Sequence, residues 1–159
     1  MSESKNMITK KTIVHNHLSG LDDDIVAILD KFEEVVGHAS SSLIPIKSSR
    51  ILELNHFDVL YLQARSSNAC LLGCSVLVIA SISVSSPGNG VFKALLSAMK
   101  VHARTNNYLL KLENVLNPEF RIFLTREGFV FPGEEWICGS GYWSPTDVIT
   151  TNELKSLPV

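Results

Sequence analysis

The sequence predicts an α/β domain of three layers, in which helices pack on a mixed sheet. Three observations carry this. A strand-like run, Val76 to Val84, passes through Ser85-Ser86-Pro87-Gly88-Asn89-Gly90 into residues 91–100, whose apolar positions have helical spacing. A second strand-like run, Asn107 to Asn114, is followed by a helix that opens at Asn117-Pro118 and closes at Gly128. Upstream, an acid-fronted amphipathic segment precedes several runs rich in Val, Ile and Leu. Strand, helix, several strands, loop-helix, strand, helix, strands is the order of such a layered domain.

The elements follow in turn. Residues 1–8 form a loose polar tail, and Thr12-Ile13-Val14 a short strand. Ser19-Gly20-Leu21-Asp22 has the spacing of a capping box, with Ser19 as N-cap and an acid three residues on. Asp22, Asp23 and Asp24 suit the positive end of a helix dipole. Ile25, Leu29, Phe32 and Val36 then share one helical face, and Gly37 is expected to close it. Residues 39–49 are Ser-rich with Pro45 and predict a loop. Strands are expected over Arg50–Asn55, Val59–Ala64 and, with a break, Cys70–Val84; Arg65-Ser66-Ser67-Asn68 is a hairpin-type turn. After the Asn117 helix, short strands are expected within Glu135–Ile149, and Leu154–Val159 is a tail.

Composition sets bounds. The 159 residues fit a single domain, 1–159, able to bury a core. A hydrophobic content of 45% is ordinary and a charged content of 19% is low for a globular protein. A net charge of −2 supplies no basic footprint for nucleic acid. Cys70, Cys74 and Cys138 are an odd set without a CxxC, which reads as free thiols in a reducing, cytoplasmic compartment. The N-terminus lacks the apolar stretch of a secretory signal. The most apolar segment, Ala69–Val84, is interrupted by Gly73 and by serines and is too short for a membrane helix, so no membrane partner is expected.

The chemistry concentrates at the junction 85–91. A strand that turns through Gly-x-Gly into a helix leaves backbone N–H groups without intrahelical partners, aimed at whatever sits in the turn. Glycines let that ligand approach without meeting a Cβ. A pyrophosphate is the usual guest, so the junction points to a nucleotide-like cofactor; many ordinary turns also carry two glycines.

The segment from about Val84 to Phe129 resembles the acyl-CoA-binding half of the GNAT N-acetyltransferases. Gly88-Asn89-Gly90-Val91 with Ala94-Leu95-Leu96 is similar to their pyrophosphate loop and helix, and Asn117 through Gly128-Phe129 to their Asn-to-Gly-Phe helix. The rest of the chain matches by element order. The resemblance implies a mostly antiparallel mixed sheet with helices on both faces and a splayed pair of parallel strands. The pantetheine arm of acetyl-CoA, or CoA, would lie in that gap as an added strand. Ile82 and Val84 would then present backbone groups to the arm. Ser85, Gly88, Asn89, Gly90 and Val91 would surround the pyrophosphate, and Asn117 would lie on the cofactor side. Three positions depart from the family pattern. Ser85 stands where the family usually has glutamine or arginine, Phe92 where it has a small residue, and Leu124 where it frequently has a general-acid tyrosine.

Acyl transfer needs a base for the attacking amine and an acid for the leaving thiolate. Glu113, at the end of the strand implied to line the cleft, is the candidate base; it equally suits the solvated end of a strand. Glu53 and His56 lie on an earlier strand, and His56 equally suits a loop. Tyr108 and Tyr142 are the candidate phenols to replace the missing acid, although Tyr142 between Gly141 and Trp143 suits ring packing. His15 and His17 have the spacing of a strand metal clip but no further ligand beside them, so no metal is expected. His102 suits a helix C-terminus, and Cys138 lacks a basic neighbour that would activate it.

Two functions remain open. One is acetyl transfer from acetyl-CoA to the amine of a small molecule or protein. The other is the same fold without catalysis, serving as a CoA-binding or structural module. A homodimer is compatible with either.

Overall fold

The computed structural model describes residues 18–41, 46–51, 53–66, 73–132, 139–145 and 151–155. The elements in chain order are α1 (Leu21–Ser41), β1 (Ile46–Ile51), β2 (Phe57–Arg65), β3 (Val76–Val84), α2 (Val91–Asn106), β4 (Leu109–Val115), α3 (Pro118–Arg126), β5 (Gly139–Trp143) and α4 (Thr151–Lys155). The residues expected to form an N-terminal tail and a strand at Thr12-Ile13-Val14, the His15/His17 pair, Cys70 and Cys138 lie outside the described residues.

The strands form one sheet in the order β1-β2-β3-β4-β5. β1 with β2, β2 with β3 and β4 with β5 are antiparallel. β3 and β4 are parallel, joined through α2, as a strand–helix–strand crossover requires. Val76, Leu77, Val78 and Ile79 of β3 are all buried, as expected of a central strand covered on both faces.

The two faces are covered unequally. On one, Leu60, Leu62 and Ala64 of β2, Leu77 and Ile79 of β3, and Leu110 and Leu112 of β4 meet Ile28, Phe32 and Val35 of α1. Leu95, Leu96 and Met99 of α2 and Leu124 of α3 complete this core. Each such burial stabilises by roughly 1.5–3 kcal/mol. On the other face Val76, Val78, Leu109 and Tyr142 meet Leu154 of α4 in a smaller cluster. Among the described residues no helix is long and apolar enough to cross a membrane.

Several local expectations shift. α1 starts at Leu21, so its cap position falls at Gly20 rather than Ser19, and it runs through Gly37 to Ser41. Burying Val35, Val36 and Ala39 offsets the roughly 1 kcal/mol that a helical glycine costs. Asp24 is not simply a dipole partner: it is 2% exposed. Its carboxylate accepts from Asn55 N and Nδ2 at 2.9 Å and from His56 N at 2.8 Å. That latch makes 53–56 a turn, with Glu53 at φ 63°, and the strand expected over Arg50–Asn55 instead occupies Ile46–Ile51. Leu154 and Lys155, read as the start of a tail, belong to a short helix, Thr151–Lys155, in which Leu154 is buried. α3 matches its caps closely: Asn117 Oδ1 accepts from Glu119 N at 2.8 Å and Phe120 N at 3.3 Å, and Gly128 has φ 92°.

The parallel pair parts halfway along. Its register runs Val76↔Leu109, Leu77↔Leu110, Val78↔Lys111, Ile79↔Leu112 and stops. Just past that point both strands carry an irregularity against their outer neighbours. β3 places the extra residue Ala80 between Leu62↔Ile79 and Tyr61↔Ser81. β4 places Glu113 and Asn114 against the single Ser140, with Asn114 at φ 54°. A bulge bends the strand that carries it, and two bulges at one level turn the strands apart.

Candidate functional site

A cleft of about 440 Å³ lies in the gap. Ile79, Ala80, Ser81 and Ile82 form one wall, Leu112 to Asn117 the other, and Phe120 of α3 closes one side. Beyond Ile79, β3 pairs with β2 on one side, and its register with β4 has ended on the other. The backbone edge facing the cleft is therefore available to a ligand that bonds as a strand would.

β3 leads from this wall into the glycine loop. Residues 85–90 are exposed, and Gly88 and Gly90 have φ 85° and 75°, values that favour glycine. A Cβ at either position would meet nothing within 4 Å, so the space above them is open. Gly90 is the N-cap of α2 and supplies no side-chain cap; the helix's first backbone bond is Ala94 N to Gly90 O at 3.0 Å. The N–H groups of Val91, Phe92 and Lys93 precede that bond and form the usual open first turn. One backbone and one side-chain bond lock the loop base: Ser85 N donates to His56 O at 3.0 Å and Ser85 Oγ to Asp58 Oδ1 at 2.7 Å. Asn89 Nδ2 donates to Ser86 O at 3.2 Å. The Phe92 ring meets Phe120 and Phe123 edge-on, with centroids 5.1 and 6.0 Å apart, so the start of α2 is packed on the helix that flanks the cleft.

Glu113 lines the cleft one residue past Ile79↔Leu112, where the strands are still paired and the cleft is closed. Its Oε1 accepts from Lys111 Nζ at 2.9 Å and from Arg65 Nη2 at 3.3 Å; Oε2 takes neither contact. Lys111 stands on the sheet face of the smaller cluster, with Nζ 5.6 Å from the centre of the Tyr142 ring. Neither cation was singled out in the sequence. Lys111 left a trace there, as the single charge in Leu109-Leu110-Lys111-Leu112, a run that otherwise reads as buried strand.

The other expected residues divide. Ile82 and Asn117 line the cleft, while Val84 lies farther along β3, in register with Phe57. Tyr108 does not reach the site. It precedes β4 at the end opposite Glu113, and its hydroxyl donates to Glu33 Oε2 at 3.4 Å. Burial, then the Glu33 charge and hydrogen bond, push its pKa up to about 12, which makes it a poor proton donor. Leu124 is fully buried in the main core, so a phenol there would overfill packing rather than face the cleft. His56 is a structural contact, its Nε2 lying 2.8 Å from Ser19 O, and Glu53 is an exposed turn residue. His102 Nε2 sits 2.7 Å from Glu33 Oε1 and ties α2 to α1. Tyr61, not considered from sequence, pairs in register with Ser81 of the cleft wall. Tyr142 is buried against Lys111. Among the described residues no group of three metal-ligating side chains occurs.

Compared with protein-family models, curated proteins and solved structures, the chain matches none.

Proposed function

We propose that the chain is an acyl-CoA-dependent N-acetyltransferase of the GNAT type, acting on an amine. One observation carries the reading: a parallel strand pair that parts after Ile79↔Leu112 and whose first strand then runs into a Gly-x-Gly turn at a helix start. These are the two features that holding a pantetheine pyrophosphate requires, an open strand edge and uncommitted N–H donors, arranged along one strand. The residues fit the group. The β3 edge at Ala80–Ile82 would pair with the pantetheine amides, and Gly88, Asn89, Gly90 and Val91 would surround the phosphates. Asn117, spent on capping α3, holds the opposite wall in place.

On this reading the amine nitrogen attacks the thioester carbonyl, a C–N bond forms, the C–S bond breaks and CoA leaves as the thiolate. Glu113 Oε2 takes the nitrogen's proton, directly or through water. Tyr61 and Tyr142 replace Tyr108 as candidates to protonate the thiolate, since both belong to the sheet face that carries Lys111. A second reading, a CoA-binding module without catalysis, is favoured by one fact: the position of the family's phenol, Leu124, is 0% exposed.

Calorimetric titration with acetyl-CoA, followed by thiol release with a panel of amines, tests both. Saturable binding with turnover that falls on Glu113→Gln and on Tyr61→Phe or Tyr142→Phe supports the enzyme. Binding without turnover supports the module. The absence of any heat or melting shift at millimolar CoA rejects both.

A further inference from the structure

We propose that Arg65 and Lys111 recognise a carboxylate carried by the acceptor amine, with Glu113 holding the place of that carboxylate until it arrives. The motive is a charge imbalance where charge is expensive. Among the described residues two cations here share one carboxylate oxygen. The Lys111 side chain is only 10% exposed, in the middle of a strand of leucines. A lysine so enclosed is costly unless fully paired.

Arg65 is underused. Its contact to Glu113 is the longer of the two, 3.3 Å against 2.9 Å, and involves Nη2 alone. Among the described residues its enclosed Nε has no hydrogen-bond acceptor, and neither has Ser66 Oγ in the next residue. Folded proteins leave few such donors, so adjacent ones call for a missing group. The Nε–Nη edge of a guanidinium matches the two oxygens of a carboxylate, a bidentate fit that Glu113 does not make. With 34% of its side chain exposed, Arg65 has room to turn that edge to a ligand.

Place completes the case. Glu113 lines the closed end of the cleft, where on the acetyl-transfer reading the acetyl group would lie. A carboxylate arriving on Arg65 takes over that cation, and Glu113 keeps Lys111 and turns to the amine on the same ligand. The acceptor class is then an amine with a nearby carboxylate, such as an amino acid. The amine's role rests on the acetyl-transfer reading; the carboxylate's binding does not.

The test uses saturation-transfer NMR of the full chain, without CoA, with β-alanine, propylamine and phosphoethanolamine as probes. The expected result is saturable contact for β-alanine and none for propylamine, with affinity reduced by about tenfold or more in Arg65→Gln, as for loss of a hydrogen bond to a charged group. Arg65→Lys, which keeps the charge without the fork, should fall between them and serves if Arg65→Gln melts too low to use. Equal binding of β-alanine and propylamine, no β-alanine binding, or binding indifferent to Arg65 overturns the proposal. Preference for phosphoethanolamine overturns the carboxylate assignment. Arg65-dependent β-alanine binding in a protein that releases no thiol from acetyl-CoA leaves the carboxylate site standing and removes the acetyl-transfer reading.

Discussion

The two regions that adjoin the cleft are built by opposite means. The closed end is a matter of side chains: Lys111, Arg65 and Glu113 meet at 2.9 and 3.3 Å, partly withdrawn from solvent. The mouth, the loop that β3 enters beyond the cleft wall, is a matter of main chain: exposed residues 85–90, two glycines at positive φ and an open helix turn. The charged side chain that touches the loop, Asp58, has the wrong sign for a phosphate. Substitutions at the closed end should therefore act first on stability, because they strand an enclosed charge. At the mouth they should act first on ligand affinity, because little of the fold rests on those residues.

The largest effect should come from Lys111→Ala. It leaves Glu113 with only the longer Arg65 contact and opens a space beside Tyr142. Removing one partner of a buried ion pair costs roughly 3–5 kcal/mol, and with Glu113 19% exposed the low end, about 3 kcal/mol, is expected in urea denaturation. Lys111→Met, which keeps the volume without the charge, should cost less. A loss under about 0.5 kcal/mol would place the pair among ordinary surface salt bridges and dissolve the contrast between the two regions.

Gly90→Asp is the counterpart at the mouth. The position has φ 75°, so any side chain there strains the backbone by about 1–2 kcal/mol. The added carboxylate faces open space rather than protein, so its charge acts on the ligand. CoA affinity should fall by tenfold or more, since hydrogen bonds to charged groups contribute about 1.5–3 kcal/mol each. Gly90→Ala brings the strain without the charge and should lose much less affinity. Equal losses in the two variants would mean that helix geometry, not anion contact, is what the glycine serves.

The same contrast separates what could be read from the sequence from what could not. Features set within a few residues were legible: the Asn117 cap, the Gly128 stop, the strand–Gly-x-Gly–helix junction and the place of Glu113 at a strand end. Features set by distant partners were not. The turn that displaces the strand expected at 50–55 is fixed by Asp24, 31 residues before Asn55. The partner that shares Glu113, Arg65, lies 48 residues away, at the end of a different strand. The bulges that open the cleft fall at Ala80 and at Glu113-Asn114, where local residue preferences do not mark a break in a strand. Tyr108 fails as a candidate acid for a related reason: its hydroxyl is claimed by Glu33 of α1, 75 residues away.

Phe92 joins the two regions mechanically. Its ring meets Phe120, which lines the cleft, and Phe123, so it holds the loop-helix against α3. Phe92→Ala removes two edge-on contacts from a half-buried site, and such pairs contribute about 0.5–1.5 kcal/mol each beyond burial. A loss of about 1.5 kcal/mol is expected in thermal or urea unfolding. Phe120→Ala should cost a similar amount, and the double variant less than the sum, because both lose the same contact. Full additivity would mean that the rings do not support one another and that the mouth is held by other contacts.

The smallest effect is also the most specific to the mouth. Asp58 Oδ1 accepts from Ser85 Oγ at 2.7 Å, at an exposed position beside the loop. Asp58→Asn keeps an oxygen for that hydroxyl and removes only the charge. Two unit charges 6 Å apart in water repel by about 0.7 kcal/mol, so a bound pyrophosphate should gain a few-fold in affinity. Salt should then decide the interpretation. The screening length is about 30 Å at 0.01 M ionic strength and about 8 Å at 0.15 M, so the gain should shrink as salt rises. A gain that does not depend on salt would have to come from loop conformation rather than charge. An affinity for CoA that is unchanged at low salt would place the phosphates away from residues 85–91, and the mouth would lose its claim to be an anion site while the charged closed end kept its own.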